Sequence, residues 1–314
     1  MRLEGIHHIT AITGDAPRNV DFYARVLGLR LVKKSVNQDD PSVYHLFYAD
    51  ERGSAGSDLT FFEYPGVPQG RAGDGMVHRV LWRVASVDAL EFWAERLTAH
   101  DVGVTRSEGG LRFADFEGLD HELVAADVPD EPLVADHPDV PAGVALQGFH
   151  GVRAYGSHPA DSRILLEEGL AFTEVSGGWE ARGESRGGLY LVDEPPDERP
   201  RPGAGTIHHV AWSSGMEEHA EWGQRARRAG AQPTSVIDRF YFYSIYFREP
   251  SGVLFEVATR GPGFTVDEPI ETLGEKVAIP PKLEPLRAEI ESRLTPLPNP
   301  RGARAGAPVG ATGS

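Results

Sequence analysis

His8, His209 and Glu256 are the residues of this 314-residue chain whose types and setting point to chemistry. Each histidine is the second of an adjacent pair, in Ile6-His7-His8-Ile9 and in Ile207-His208-His209-Val210, while Glu256 stands between Phe255 and Val257. A carboxylate is rarely buried in so apolar a strand without a partner. Two imidazoles and one carboxylate form the facial set that holds non-haem Fe(II) with coordination positions left open, and Mn(II) accepts the same donors. The chain has no cysteine. That removes disulfides, thiolate nucleophiles, iron–sulfur clusters and cysteine zinc sites, so any metal must be held by nitrogen and oxygen. A lone histidine at the start of a strand is more often structural. What makes these three a candidate site is their place in a repeat.

The phrase apolar, His, any residue, apolar occurs four times: Ile6-His7-His8-Ile9, Val77-His78-Arg79-Val80, Phe149-His150-Gly151-Val152 and Ile207-His208-His209-Val210. Each phrase opens a β-like stretch and is followed by a helical segment. In the first unit Asp15-Ala16-Pro17 supplies an N-cap and an early proline, ahead of Val20, Phe22, Tyr23, Val26 and Leu27. The second helix runs from Asp88 through Leu97, the third through Ile164 to Leu166, and the fourth from Glu217 to Ala229, stopping at Gly230. Short strand-like runs follow, such as Tyr44-His45-Leu46-Phe47-Tyr48. The pattern predicts an α+β chain of four βαβββ modules over residues 1–65, 76–126, 146–195 and 204–260. An Asp- and Pro-rich connector covers 127–145. An extension with one helix over Leu283 to Leu294 occupies 261–295, and a disordered tail covers 296–314.

Alternate residues of a strand share a face, so a ligand must occupy a fixed place in its module. The third residue of the phrase is His8, Arg79, Gly151 and His209; the late-strand acid is Glu122 in the second module and Glu256 in the fourth. The third module has no acid there, and the first ends in Leu59-Thr60-Phe61-Phe62-Glu63, which admits more than one alignment. Pairing modules one and two gives His8 and Glu122 against the cation Arg79; pairing three and four gives only two ligands. Pairing one with four gives His8, His209 and Glu256 together, which places the metal between the first and last modules. Alternation turns His7, His208, His78 and His150 to the opposite face.

Composition narrows the partners. Hydrophobic residues make up 40% and charged residues 25%, as in ordinary globular proteins. At 314 residues, more than one core is expected. The formal charge of −16 argues against binding a phosphate backbone. No apolar run is long enough for a membrane span, and the N-terminal residues lack signal-peptide character, so a cytoplasmic location is expected. Oligomeric state is open, a homo-oligomer included.

These features resemble the vicinal oxygen chelate superfamily of glyoxalases, bleomycin-resistance proteins and extradiol dioxygenases. The resemblance rests on Gly5-Ile6-His7-His8-Ile9-Thr10, on Asp21-Phe22-Tyr23 with Leu27-Gly28-Leu29, and on Glu249-Pro250-Ser251-Gly252 leading to Phe255-Glu256. It covers roughly residues 3 to 260 and is greatest to the hydroquinone-type ring-cleaving dioxygenases. It implies two open-barrel domains, Fe(II) on His8, His209 and Glu256, and O₂-dependent opening of a hydroquinone- or catechol-like ring. Carried over onto Asp238-Arg239-Phe240 and Ser244-Ile245-Tyr246, it places Arg239 and Tyr246 at the substrate as hydrogen-bond donors. Thr10 is a candidate pocket residue, and His7 and His208 are candidates for proton transfer. Tyr246 also fits as one more core aromatic. Two alternatives share the module: a glyoxalase-type isomerase, which commonly has a fourth protein ligand, and a non-catalytic binding protein of the bleomycin-resistance kind.

Overall fold

The computed structural model of the chain describes residues 1–107 and 109–301. In the first module β1 (Ile6–Thr13) leads into α1 (Ala16–Val20), whose N-cap Asp15 accepts from the Arg18 amide, and then a π-helical turn over Asp21–Val26. β2 (Arg30–Val36), β3 (Tyr44–Ala49) and β4 (Asp58–Glu63) complete it. The second module holds β5 (Val77–Val84), α2 (Val87–Ala99), β6 (Val104–Ser107), β7 (Gly110–Ala114) and β8 (Asp120–Ala125). Its helix starts one residue earlier than Asp88 implies, because the Ser86 hydroxyl caps the Ala89 amide. The third comprises β9 (Phe149–Tyr155), short helical turns over Pro159–Ser162 and Ile164–Gly169, β10 (Thr173–Val175), β11 (Gly178–Arg182) and β12 (Gly187–Asp193). The fourth has β13 (Ile207–Ser214), α3 (His219–Arg228), β14 (Ile237–Asp238), β15 (Phe242–Arg248) and β16 (Leu254–Pro262).

The strands form two sheets of the same design. One runs β14-β15-β16-β13-β1-β4-β3-β2, so it is built from the fourth and first modules; the other runs β10-β11-β12-β9-β5-β8-β7-β6, from the third and second. In each, the opening strands of two modules pair antiparallel at the centre, and each pairs parallel with the last strand of its own module. The chain ends therefore meet, as the ligand count requires. Trp82, Trp93, Trp212, Trp222 and Tyr23 are fully buried in the main core. A second cluster, with Phe47, Ala211, Phe242 and Ala258 of the first sheet, takes in Phe264 from the segment after β16. No helix among the described residues is long and apolar enough to cross a membrane.

The extension departs from the single helix expected. Pro281–Leu286 is a 3₁₀ turn and only Arg287–Arg293, here α4, is α-helical, because Pro285 has no amide hydrogen to continue the ladder. Of the tail expected over 296–314, residues from 302 lie outside the described residues; before that, Leu297 packs on the core and Arg301 pairs with Glu51. The segment after β16 is pinned to β2 by three cations. Arg30 donates to the Ile270 carbonyl, Lys34 to that of Glu275, and the fully buried Lys33 to the Phe264 carbonyl, Asp267 and Glu268. Breaking a buried ion pair costs about 3–5 kcal/mol. Asp267 and Glu268 keep some access to water, so Lys33→Met is expected to lower stability by about 2 kcal/mol. Urea unfolding checks the value, and faster proteolysis after residue 263 checks the place.

Candidate metal centre

β1, β13 and β16 are neighbours at the centre of the first sheet and carry His8, His209 and Glu256. Register explains why they converge. Thr10 pairs with Thr60, Leu81 with Glu122, Arg153 with Leu191, and Ala211 with Glu256. The first residue of each pair lies two places after the third position of the repeat phrase. The late-strand position is thus Thr60, Glu122, Leu191 and Glu256 in the four modules. In the first module the register settles the alignment: the position holds Thr60, and the nearby Glu63 instead accepts from the Ala16 amide at the helix start. In the second sheet Glu122 is bound at 3.0 Å by Arg79, the counterpart of His8. That place is filled by an internal ion pair.

Glu249 aims β16. Its buried carboxylate accepts from the Ser251 and Val253 amides at 3.0 and 3.1 Å, and Gly252, at φ +109°, supplies the turn that a side chain would strain.

The three side chains are 1%, 4% and 0% exposed, and one ligand atom from each lies within 4.8 Å of the others. His8 Nε2 is 3.2 Å from His209 Nε2, and these nitrogens are 3.3 and 3.0 Å from Glu256 Oε2. Yet neither carboxylate oxygen of Glu256 has a hydrogen-bond partner. A chain of rings fixes the reason. The Thr259 carbonyl can only accept, so His7 Nε2, at 3.0 Å, carries a hydrogen, and the buried neutral His7 accepts at Nδ1. Burial holds its pKa down at about 3. His8 Nδ1, 2.9 Å away, must therefore donate, which leaves His8 Nε2 a bare lone pair facing the glutamate. The same Nδ1–Nδ1 contact recurs between His208 and His209 at 2.8 Å. Burial raises the pKa of Glu256, but the imidazoles of His8 and His209 more than offset this and keep it ionised. Lone pairs crowded at this range in a dry site repel unless a cation lies among them. The residues present fit a divalent metal.

Strict alternation predicts that His7 turns away from His8. A register shift between Ile6 and His8 in the β1–β13 pair interrupts it and brings the rings together. His7 thus orients His8. Removing such a partner costs metal affinity by about 10–100-fold, so His7→Phe is expected to weaken anaerobic Fe(II) binding by that factor while the ligands remain.

Next to the three residues lies a cavity lined by His8 and His209 together with His45, Phe47, Phe62, Arg239, Phe242 and Tyr246. Tyr246 is the cross-strand partner of Glu256, and its ring meets His209 edge-on at 5.9 Å. Burial and the Glu256 charge push its pKa up, so it remains a phenol. Arg239 donates to the Tyr246 hydroxyl at 3.3 Å and grips Asp39 at 3.1 and 3.0 Å. Both residues line the cavity. Thr10 does not: it is fully buried behind the wall, its hydroxyl 2.8 Å from that of Thr60. His7 and His208 likewise lie outside the lining. Sequence reasoning missed His45, whose only signal is a polar residue sharing a strand face with Phe47.

Tandem modules, paired sheets and one buried His-His-Glu cluster define the class. The chain belongs to the glyoxalase/bleomycin resistance protein/dioxygenase superfamily, whose family model matches residues 5–123 and 163–257. It is 39% identical to the Bacillus subtilis protein named "Putative ring-cleaving dioxygenase MhqA", over 95% of this chain and 100% of that one. It is 34% identical to the "Chlorohydroquinone/hydroquinone 1,2-dioxygenase" of Sphingobium indicum, over 92% and 95% of the two chains. A crystal structure of a "putative dioxygenase" from Bacillus subtilis superposes with a TM-score of 0.87 at 38% identity, covering 95% of this chain and 98% of the other.

Proposed function

We propose that the chain is an Fe(II)-dependent ring-cleaving dioxygenase acting on a hydroquinone-type aromatic. The observation that carries this reading is the carboxylate of Glu256, wholly buried and without a hydrogen-bond partner, facing the lone pair of His8 and the ring of His209. Thr60 at the remaining repeat position leaves three protein ligands, as an open site for substrate and O₂ requires, and argues against a four-ligand isomerase. The names of the relatives point the same way.

His8, His209 and Glu256 would hold the metal, which when bound supplies the Lewis acidity and one-electron chemistry that let a phenolate react with O₂. Two neutral imidazoles and one carboxylate leave net positive charge at the site, which favours an ionised phenol. Phe47, Phe62 and Phe242 offer the ring an apolar slot. Tyr246, held protonated, donates to oxygen developing negative charge on the ring, and Arg239 orients its hydroxyl. His7 keeps His8 in the ligating tautomer.

The test is anaerobic reconstitution with Fe(II), then O₂ uptake with hydroquinone, methylhydroquinone, chlorohydroquinone and catechol. Stoichiometric O₂ consumption with loss of ring absorbance is expected. One metal per chain without O₂ uptake would support an isomerase instead, and no bound metal a binding protein.

A further inference from the structure

The ring-cleaving reading leaves the substrate's second oxygen without a partner. We propose that His45, with Ser35 across from it, is the specificity-determining subsite that receives that distal oxygen. The inference rests on the function proposed above and adds to it the residue that recognises the distal oxygen.

In the order β15-β16-β13-β1-β4-β3-β2, the metal cluster is central, Tyr246 lies to one side on β15, and His45 lies to the other on β3. The hydroxyls of Thr10 and Thr60 meet at 2.8 Å, so both share the face of His8, two residues from Thr10. Phe47 pairs with Thr60 and His45 with Phe62, which puts His45 on that same inner face. Two strand spacings separate β3 from β1 at about 4.8 Å each, roughly the width of a substituted benzene ring once the side chains reach inward.

The His45 ring is held between Phe47 and Phe62, with centroids 3.9 and 4.4 Å away. Its Nε2 is taken by the Thr60 hydroxyl at 2.9 Å, leaving Nδ1 for a ligand. The Thr10–Thr60–His45 chain can run in either direction, because hydroxyl hydrogens rotate; Nδ1 can therefore accept from a phenol or donate to a phenolate. Burial keeps the imidazole neutral, as both roles require. Ser35 pairs directly with His45 in the β2–β3 register, lines the cavity, and carries a buried hydroxyl with no hydrogen-bond partner. In the β2–β3 loop Asn37 is engaged with Asp39 and Tyr64, Asp39 with the Arg239 guanidinium, and the Gln38 amide nitrogen with the Arg239 carbonyl, while the Gln38 amide oxygen is buried without a partner in the lining of the same cavity.

In an ortho-diol both oxygens lie side by side at the metal, and nothing reaches His45. In a para-diol the second hydroxyl projects into the aromatic wall, where an unpartnered hydroxyl is costly and a partnered one is not. His45 supplies the partner.

The test compares hydroquinone with 4-methylphenol, which replaces the distal hydroxyl by a methyl group, and with catechol. Binding is measured anaerobically by calorimetry on the Fe(II)-loaded protein. Wild type is expected to bind hydroquinone about tenfold tighter than 4-methylphenol. His45→Phe should erase that preference, His45→Gln should retain part of it, and both should keep one metal per chain. In turnover, KM for hydroquinone should rise more than kcat falls. A preference that survives in His45→Phe, or equal weakening of both ligands, overturns the proposal, as does failure of wild type to bind hydroquinone. Failure of the ring-cleaving reading looks different: no O₂ uptake by wild type with any diol, whatever the binding preference.

Discussion

His209→Ala is expected to lose bound Fe(II) and, with it, O₂-dependent ring cleavage. The imidazole is one of three donors, and its loss should exceed the 10–100-fold that follows from losing a ligand's hydrogen-bond partner. Stability gives an independent readout. A metal that binds only the folded chain at 100 times its dissociation constant adds about 2.7 kcal/mol, which for a chain of this size raises Tm by roughly 5 °C. Wild type should show that shift on Fe(II) addition, and His209→Ala should not. The variant should still fold, because it removes one of the polar groups crowded around Glu256. Full metal content and full turnover in His209→Ala would refute the site.

Tyr246→Phe is expected to keep the metal and lose about 10²-fold in kcat, the scale of a positioned proton donor. The substitution removes only the hydroxyl that Arg239 holds at 3.3 Å and leaves the ring against His209. Metal content, Tm and the Fe(II)-induced shift should match wild type. Unchanged kinetics would make Tyr246 a packing residue, the other role its sequence context allows.

The convergence of His8, His209 and Glu256 was legible because two signals coincide. The repeat phrase marks equivalent strand positions, and the period of two assigns them to a face. Only one pairing of modules collects His8, His209 and Glu256, and the sheet order adopts it. Arg79 opposite Glu122 was legible in the same way, as a cation where the other sheet has an imidazole. Thr60 was not, because Leu59 to Glu63 offers several residues and only hydrogen-bond register chooses among them. His45 has no counterpart to flag it: in the fourth module the equivalent place, two residues before the partner of the late-strand position, is Ser244. The contact of His7 with His8 was misread because a bulge suspends alternation where it occurs.

The sequence by itself determined the donor types, the modular repeat, the turn at Glu249 to Gly252, and the face on which each ligand lies. These depend on residue chemistry and on geometry within a few residues. The tertiary structure decided which strand slides against which, and so placed Thr60 beside Thr10, His45 against Thr60, and the extension over β2. Register between strands as distant as residues 8 and 209 is set by the packing of whole faces, and shifting it by one residue would turn every side chain to the other side.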